Sequence, residues 1–215
     1  SEDSSCIFSI RPKSNVMDYS RLPDALKIAL VIGGGSYDMG NLRKVGITGD
    51  ASLDGLRKGV GQEIGVILGF VIKLKGGCDP LSLREGLLDL DSRTNVSLLD
   101  RLSLASDVNQ LVTRGLGFEQ VMPKNVFDKS TEPDGKVFLI VNQAMQYWNK
   151  NHFVSDEVLS EAAEIAVVNG SGKEGLGREV AKQVETTGIR VVEIDKIDKT
   201  SGRCKMRGEI KKYPL

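Results

Sequence analysis

The sequence feature that most constrains the fold is a strand–turn–helix–strand element that spans residues 164–194. Residues 164–168 predict a short strand, a glycine-rich turn follows, and the apolar spacing of residues 176–187 predicts an amphipathic helix. Gly188 then leads into a second strand over residues 189–194. A strand, a helix and a strand within about 30 residues are typical of a βαβ unit with parallel strands. We therefore expect a fold of the α/β class.

The turn inside this element has more than one interpretation. Gly170, Gly172 and Gly175 match the G-x-G-x-x-G spacing of dinucleotide-binding turns, whose glycines let a pyrophosphate approach a helix N-terminus. The chain that follows is too short for the remaining strands of a doubly wound nucleotide fold, so a nucleotide-dependent enzyme is an alternative and not the main hypothesis. The P-loop pattern is not met, because Arg178 and Glu179 stand where lysine and Ser/Thr belong. A tight structural turn explains the same glycines.

The upstream part of the chain predicts further alternating strands and helices. We expect strands at 6–10, 66–74 and 137–141, helices at 52–64 and 94–114, either a helix or a strand at 24–32, and a polar connection at 142–153. This pattern predicts an N-terminal α/β domain over residues 1–155, followed by a small βαβ domain over residues 156–215.

Charge and cysteine content narrow the classes of function. The 29 basic and 29 acidic residues balance, which argues against a dedicated nucleic-acid-binding protein. No apolar stretch approaches the ~20 residues that cross a bilayer. Cys6, Cys78 and Cys204 show no C-x-x-C spacing, so a zinc site is not expected. Either two of them form a disulfide or all three are unpaired thiols, and the sequence does not fix a pairing.

The βαβ element resembles the C-terminal domain of LytR-type envelope proteins. That domain begins with a strand that runs into Asn-Gly-Ser/Thr-Gly, continues with a helix that carries Ala and Val or Leu on one face, and reaches a glycine before its next strand. Asn169, Gly170, Gly175, Ala181 and Gly188 fall in register with this pattern. Members of the family usually continue with a further strand and helix.

The upstream sequence resembles the LytR-CpsA-Psr catalytic domain in a degenerate form. Residues 8–12 resemble its Ser-Ile-Pro-Arg-Asp segment with arginine and proline exchanged, and residues 27–35 resemble its Lys-Ile-Asn…Gly-Gly stretch. Residues 54–66 resemble the helix that leads into a Gly-Ile-Pro strand, and residues 94–97 resemble the late Thr-Asn-Leu-Ser helix. The order of these segments supports the resemblance more than any one of them.

The resemblance implies an α/β/α sandwich-like domain followed by the small βαβ domain. It also implies a protein that binds a polyprenyl-linked glycan phosphate in an apolar tunnel and transfers the glycan to the cell wall. In the family, Mg²⁺ and a set of arginines and aspartates act on the diphosphate. Such a centre needs cations to neutralise developing charge and carboxylates to hold the metal.

The arginine and aspartate set of the family is incomplete in this sequence. Its Arg-x-Arg…Asp…Arg-x-x-Arg-Gln block, expected between Gly77 and Thr94, is not matched, so catalysis and a Mg²⁺ cofactor stay open. We predict phosphate contacts at Arg11, Arg84 and Arg93, assign no metal ligand, and leave the catalytic residues unassigned. The predicted glycine turn consists of Asn169, Gly170, Gly172 and Gly175.

We therefore expect an extracytoplasmic protein of the cell envelope that binds polyprenyl-linked or glycan phosphate, with any membrane anchor lying before Ser1. The expected partners are a polyprenyl phosphate lipid or a cell-wall glycan, and no nucleic acid. The first alternative is a non-catalytic interaction module for a cell-wall or protein partner. The second alternative is the nucleotide-dependent enzyme that would use the glycine turn.

Overall fold

A computed structural model describes residues 4–11, 14–30, 35–44, 50–154 and 156–198 of the chain. The strands are β1 Ser5–Arg11, β2 Val16–Leu22, β3 Lys27–Ala29, β4 Ser36–Asp38, β5 Gly117–Glu119, β6 Phe127–Thr131, β7 Val137–Val141, β8 Glu164–Asn169 and β9 Arg190–Lys196. The helices are α1 Met39–Lys44, α2 Asp50–Ile64, α3 Pro80–Leu88, α4 Leu98–Thr113, α5 Ala144–Phe153, α6 Asp156–Glu161 and α7 Leu176–Glu185. This mixture confirms the predicted α/β class.

The largest sheet has the strand order β1-β2-β5. β1 and β2 form an antiparallel hairpin in which Ile7 lies opposite Ser20, and β5 pairs with β2 in parallel. Because successive side chains of a strand point to opposite faces, the hairpin presents a different set of residues to each side. Ile7 and Leu22 enter one hydrophobic core, whereas Met17 enters another.

The two cores place helices on both faces of this sheet. On one face, Ile7 and Leu22 share a core with Ile64 of α2 and with Met145 and Trp148 of α5. On the other face, a second set of buried side chains packs β2 against α3 and α4: Met17, Leu83, Leu87, Ala105, Val108 and Leu111. Burial of apolar surface on both faces supplies about 25 cal/mol for each Å² removed from water.

The βαβ element folds as its sequence predicts. β8 and β9 pair in parallel, and α7 connects them and packs against both. α7 also packs on α2, where the Thr186 hydroxyl donates a hydrogen bond to the Gly65 carbonyl oxygen. The buried Asn149 side chain donates another hydrogen bond to the Ile64 carbonyl oxygen, at 2.8 Å. Side chains from α5 and from the end of α7 therefore satisfy the carbonyls of Ile64 and Gly65, at and just beyond the end of α2.

Three upstream expectations need correction or completion. Residues 66–74 do not form a strand, because their only ladder contact is an isolated bridge between Ile72 and Thr94. The segment 142–153 contains helix α5 and is not merely a polar connection. At 24–32 the described residues settle the open choice in favour of the short strand β3.

A disulfide joins Cys6 of β1 to Cys78, which lies just before α3. The two Cα atoms are 5.9 Å apart, well within the range that a disulfide spans. The sequence left this pairing open, and Cys204 lies outside the described residues. The bond links strand β1 to the helical layer over a sequence separation of 72 residues. No helix in the described part of the chain is long and apolar enough to cross a membrane.

Helix α2 approaches strand β3 so closely that one helical position must be glycine. A Cβ atom at Gly59 would lie 2.6 Å from the Ala29 carbonyl oxygen and 3.2 Å from Cγ2 of Ile28. We expect Gly59→Ala to cost about 1–3 kcal/mol of unfolding free energy, because the clash outweighs the better helix propensity of alanine. Urea denaturation measures this cost.

Gly69 offers a matched control, since a Cβ atom there would meet no atom within 4 Å. We expect Gly69→Ala to change the unfolding free energy by less than about 0.5 kcal/mol. If Gly59→Ala proved as stable as the wild type, α2 would not sit against β3 as described.

Candidate functional site

Arg11 lies at the end of β1 and is held in a buried polar cluster. Its guanidinium forms an ion pair with Asp18 of β2 and donates to the Val154 carbonyl oxygen at 3.2 Å. Asp18 is only 4% exposed, and its second carboxylate oxygen accepts a hydrogen bond from the Gln120 amide at 3.0 Å. One positive and one negative charge therefore cancel inside the protein. A phosphate at Arg11 would compete with Asp18 for the guanidinium.

The other two predicted phosphate-binding arginines lie in different places. Arg84 of α3 donates to the Asn109 side chain of α4 at 3.1 Å, so it connects the two helices. Arg93 is exposed in the segment between these helices, and its carbonyl oxygen accepts a hydrogen bond from the Lys73 amide. Neither described contact involves Arg11. The described contacts do not bring the three arginines together into one phosphate site.

The glycine turn is closed by its own asparagine. Oδ1 of Asn169 accepts from the Ser171 amide at 3.1 Å and from its hydroxyl at 2.7 Å, and Nδ2 donates to the Lys173 carbonyl oxygen at 2.7 Å. Gly172 and Gly175 have φ values of 73° and 80°, which glycine adopts without strain. These observations give Asn169, Gly172 and Gly175 structural roles in the predicted turn.

A different place brings cations and apolar side chains together. The groove between α2 and α7 has a volume of about 240 Å³. Its polar lining comes from Arg57, Lys58, Gln62, Glu179 and Gln183. Its apolar lining comes from Gly61, Val66, Ile67, Leu68, Leu176 and Val180. We call this site the α2–α7 groove.

On the α2 side of the α2–α7 groove, the positive side chains Arg57 and Lys58 outnumber the one carboxylate that pairs with them. Asp54 accepts from the Arg57 guanidinium at 2.6 Å and also forms an ion pair with Lys58. Lys58 and Arg57 hold the pKa of Asp54 below its usual range, chiefly through their hydrogen bonds to its carboxylate. Two cations share this one carboxylate, and the Lys58 side chain keeps half of its surface exposed.

The lining of the α2–α7 groove also includes one carboxylate, that of Glu179. Gln62 of α2 donates to the Glu179 carboxylate of α7 at 2.8 Å. Burial raises the pKa of the neighbouring Glu63 carboxyl, and the positive charge of Lys182 opposes that rise. The α2 side of the groove carries Arg57 and Lys58 and the α7 side carries Glu179, so an amphipathic anion would point its charged group toward Lys58.

Sequence analysis did not single out Arg57 and Lys58, although a signal was present. Asp54, Arg57 and Lys58 follow the i, i+3 and i, i+4 spacing that places side chains together on one helix face. That spacing is common on exposed helices, where it has no binding role. Only the packing of α7 beside α2 turns this helix face into the wall of a groove.

The described residues do not fit a protein-held Mg²⁺ ion. No group of three or more His, Cys, Asp or Glu side chains capable of holding a metal occurs in the described ranges. Near Arg11 the one buried carboxylate, Asp18, already accepts from an arginine and from an amide. Mg²⁺ prefers a site with carboxylate oxygens free to coordinate it.

No protein-family model and no curated protein matches the chain. Among solved structures, the chain is similar to a transcriptional regulator from Enterococcus faecalis, with 8% identity over 66% of this chain and 78% of the other, at a TM-score of 0.46. It is also similar to the Lin1025 protein from Listeria innocua, with 10% identity over 70% of this chain and 92% of the other, at a TM-score of 0.42. Likenesses at this level carry no argument about function.

Proposed function

We propose that the chain is a cell-envelope protein, related to the LytR-CpsA-Psr glycopolymer transferases, that binds polyprenyl-linked or glycan phosphate. In this proposal it contributes to the attachment of glycopolymers to the cell wall as a binding protein, and turnover is not required. The single observation that carries the proposal is the α2–α7 groove. Arg57 and Lys58 line that groove together with five aliphatic side chains, beside Gln62, Glu179 and Gln183.

The chemistry of the groove matches an anion attached to a hydrocarbon chain. A phosphate near Lys58 would gain charge-assisted hydrogen bonds, because the ammonium has three donors and the Lys58 side chain is half exposed beside its ion pair with Asp54. The first isoprene units would lie against Val66, Leu68 and Leu176. Ile67, which is 63% exposed, would cover part of the chain that continues outside the groove. Each buried CH₂ group would contribute about 0.8 kcal/mol.

The disulfide supports the envelope location. Structural disulfides form and persist in oxidising compartments and are rare in the cytosol. The Cys6–Cys78 bond joins two elements of the fold, and Cys78 is fully buried. An extracytoplasmic location is therefore part of the proposal.

A thermal-shift experiment with farnesyl phosphate tests the proposal, with farnesol and inorganic phosphate as half-ligand controls. At a ligand concentration of 100 Kd, binding to the folded state adds about 2.7 kcal/mol. We expect farnesyl phosphate to raise the melting temperature more than either control does. Lys58→Met should reduce this rise, whereas the exposed Lys150→Met on α5 should leave it unchanged.

The other outcomes assign the site or reject the proposal. Loss of the shift in Arg11→Ala but not in Lys58→Met would move the phosphate to the Arg11 cluster. No shift with farnesyl phosphate would reject the lipid-phosphate proposal. A shift with NAD or ATP instead would support the nucleotide-dependent alternative and its glycine turn.

A second candidate function is a non-catalytic interaction module. The observation that favours it is an exposed apolar surface at one end of the α3–α4 pair: Leu88, Leu90, Leu98, Leu99 and Leu102 are each at least half exposed. Clustered exposed apolar residues often mark interaction sites. This candidate predicts no stabilisation by farnesyl phosphate, so the same thermal-shift experiment separates the two functions.

A further inference from the structure

A second pocket, which shares no lining residue with the α2–α7 groove, lies between two hairpins. β3 and β4 form one hairpin and β6 and β7 form the other, and the Leu139 amide donates to the Ala25 carbonyl oxygen at 2.8 Å where they meet. The pocket has a volume of about 100 Å³. Its charged and aromatic lining consists of Lys27, Tyr37, Asp38, Glu132, Lys136 and Phe138. We call it the hairpin pocket.

Two ion pairs line the hairpin pocket. Lys27 pairs with Glu132, and Lys136 pairs with Asp38. Asp38 is fixed further by Asn41, whose backbone and side-chain amides donate to its two carboxylate oxygens at 2.7 and 2.8 Å. The hydrogen bond to Asp38 raises the pKa of Lys136, which keeps this ammonium charged. The pocket therefore holds two positive and two negative groups at neutral pH.

This charge pattern selects against ligands with a net charge. An anion would approach the two ammonium groups but would also meet two carboxylates. A cation would approach the two carboxylates but would also meet two ammonium groups. A ligand that carries both charges can pair each of its groups with an opposite one without leaving any pocket charge uncompensated. Complementary charge patterns of this kind provide specificity more than affinity.

The aromatic side chains and the volume limit the size of the ligand. The Lys27 ammonium lies 4.1 Å from the centroid of the Phe138 ring, and the Tyr37 ring remains 44% exposed. These rings supply apolar surface for a small side chain. A volume of about 100 Å³ equals roughly three water molecules at ~30 Å³ each, so it admits a ligand of only a few non-hydrogen atoms.

We infer that the hairpin pocket binds a small zwitterion of the α-amino acid class. The ligand carboxylate pairs with Lys136 and Lys27, and its ammonium pairs with Asp38 and Glu132. A short side chain lies against Tyr37. This inference goes beyond the proposed function and does not depend on it, because the pocket shares no lining residue with the α2–α7 groove.

An NMR titration of the ¹⁵N-labelled protein tests the inference, with L-alanine as the probe. Ethylamine and propionate carry one charge each and serve as half-ligands, and glucose serves as a neutral polar ligand. We expect saturable shifts of the Tyr37, Asp38 and Asn41 amides with L-alanine. Each half-ligand should bind at least about tenfold more weakly, which corresponds to 1.4 kcal/mol.

Two lysine variants make the test specific. Lys136→Met removes one ammonium and should weaken L-alanine binding at least about tenfold. Lys129→Met alters an exposed lysine of β6 that does not line the pocket, and it should bind L-alanine like the wild type. A melting curve of each variant shows that it is folded.

Three results would overturn the inference. The first is the absence of saturable shifts at these amides with millimolar L-alanine. The second is equal binding of propionate and L-alanine, which would make the pocket an anion site. The third is binding of glucose in preference to L-alanine. None of these results affects the farnesyl phosphate experiment, so failure of one proposal leaves the other standing.

Discussion

Removing the disulfide by the double substitution Cys6→Ser and Cys78→Ser is expected to cost about 4 kcal/mol of unfolding free energy. The bond closes a loop of 72 residues, and in the chain-entropy model a loop of this length restricts the unfolded chain by that amount. For a protein of this size, we expect the melting temperature to fall by roughly 10 °C. Differential scanning calorimetry of the wild type and the double variant, each with and without a reductant, measures the change.

The control uses the third cysteine and a reductant. Dithiothreitol should lower the melting temperature of the wild type to that of the double variant and should leave the double variant unchanged. Cys204→Ser, outside the described residues, should keep the full response to the reductant. If the wild type melted at the same temperature with and without dithiothreitol, the two thiols would not be joined. The argument for an oxidising compartment would then fall as well.

Replacing Arg101 by leucine is expected to cost about 3 kcal/mol. This side chain of α4 is only 6% exposed. It donates to the carbonyl oxygens of Leu87 at 2.9 Å and Gly86 at 3.3 Å, and also to that of Asp89. These carbonyls lie at the C-terminal end of α3, where the helix dipole favours a positive charge. Leucine would leave them buried without a donor, and urea denaturation would register the loss.

Arg114 provides the matched control at the other end of α4. It is exposed, and its guanidinium donates to the Asn15 side chain at 3.0 Å. Arg114→Leu should change the unfolding free energy by less than about 0.5 kcal/mol. Equal effects of the two substitutions would mean that Arg101 does not hold α3 and α4 together.

Some elements could not be predicted because their burial pattern is polar or ambiguous. β2 escaped prediction because Asp18 and Ser20 are buried beside Gln120, whereas a half-buried strand is usually recognised by apolar residues at alternate positions. Helix α5 buries Asn149 together with Met145 and Trp148, so a polar side chain interrupts its apolar face. Residues 66–74 are apolar enough for a strand, yet they pack as an extended segment with a single bridge.

The roles of the site residues also depend on tertiary contacts that the sequence does not show. Arg11 was predicted as a phosphate contact from the resemblance of residues 8–12 to the family's Ser-Ile-Pro-Arg-Asp segment, and the structure places it at the end of β1. The sequence could not show that Asp18 pairs with it, because that ion pair depends on the register of the β1–β2 hairpin. Arg57 and Lys58 were overlooked because their importance depends on α7, which lies more than a hundred residues further along the chain.

The sequence by itself determined the α/β class and the βαβ element, since these depend on local spacing: Asn169 and its glycines define the turn, and the apolar period defines α7. Tertiary structure alone decided the pairing of Cys6 with Cys78, the neutralisation of Arg11 and the joining of α2 and α7 into a groove. The physical reason is the separation along the chain between the residues that interact. Turns and helices arise from residues a few positions apart, whereas disulfides, buried ion pairs and pockets require segments that meet only when the cores pack.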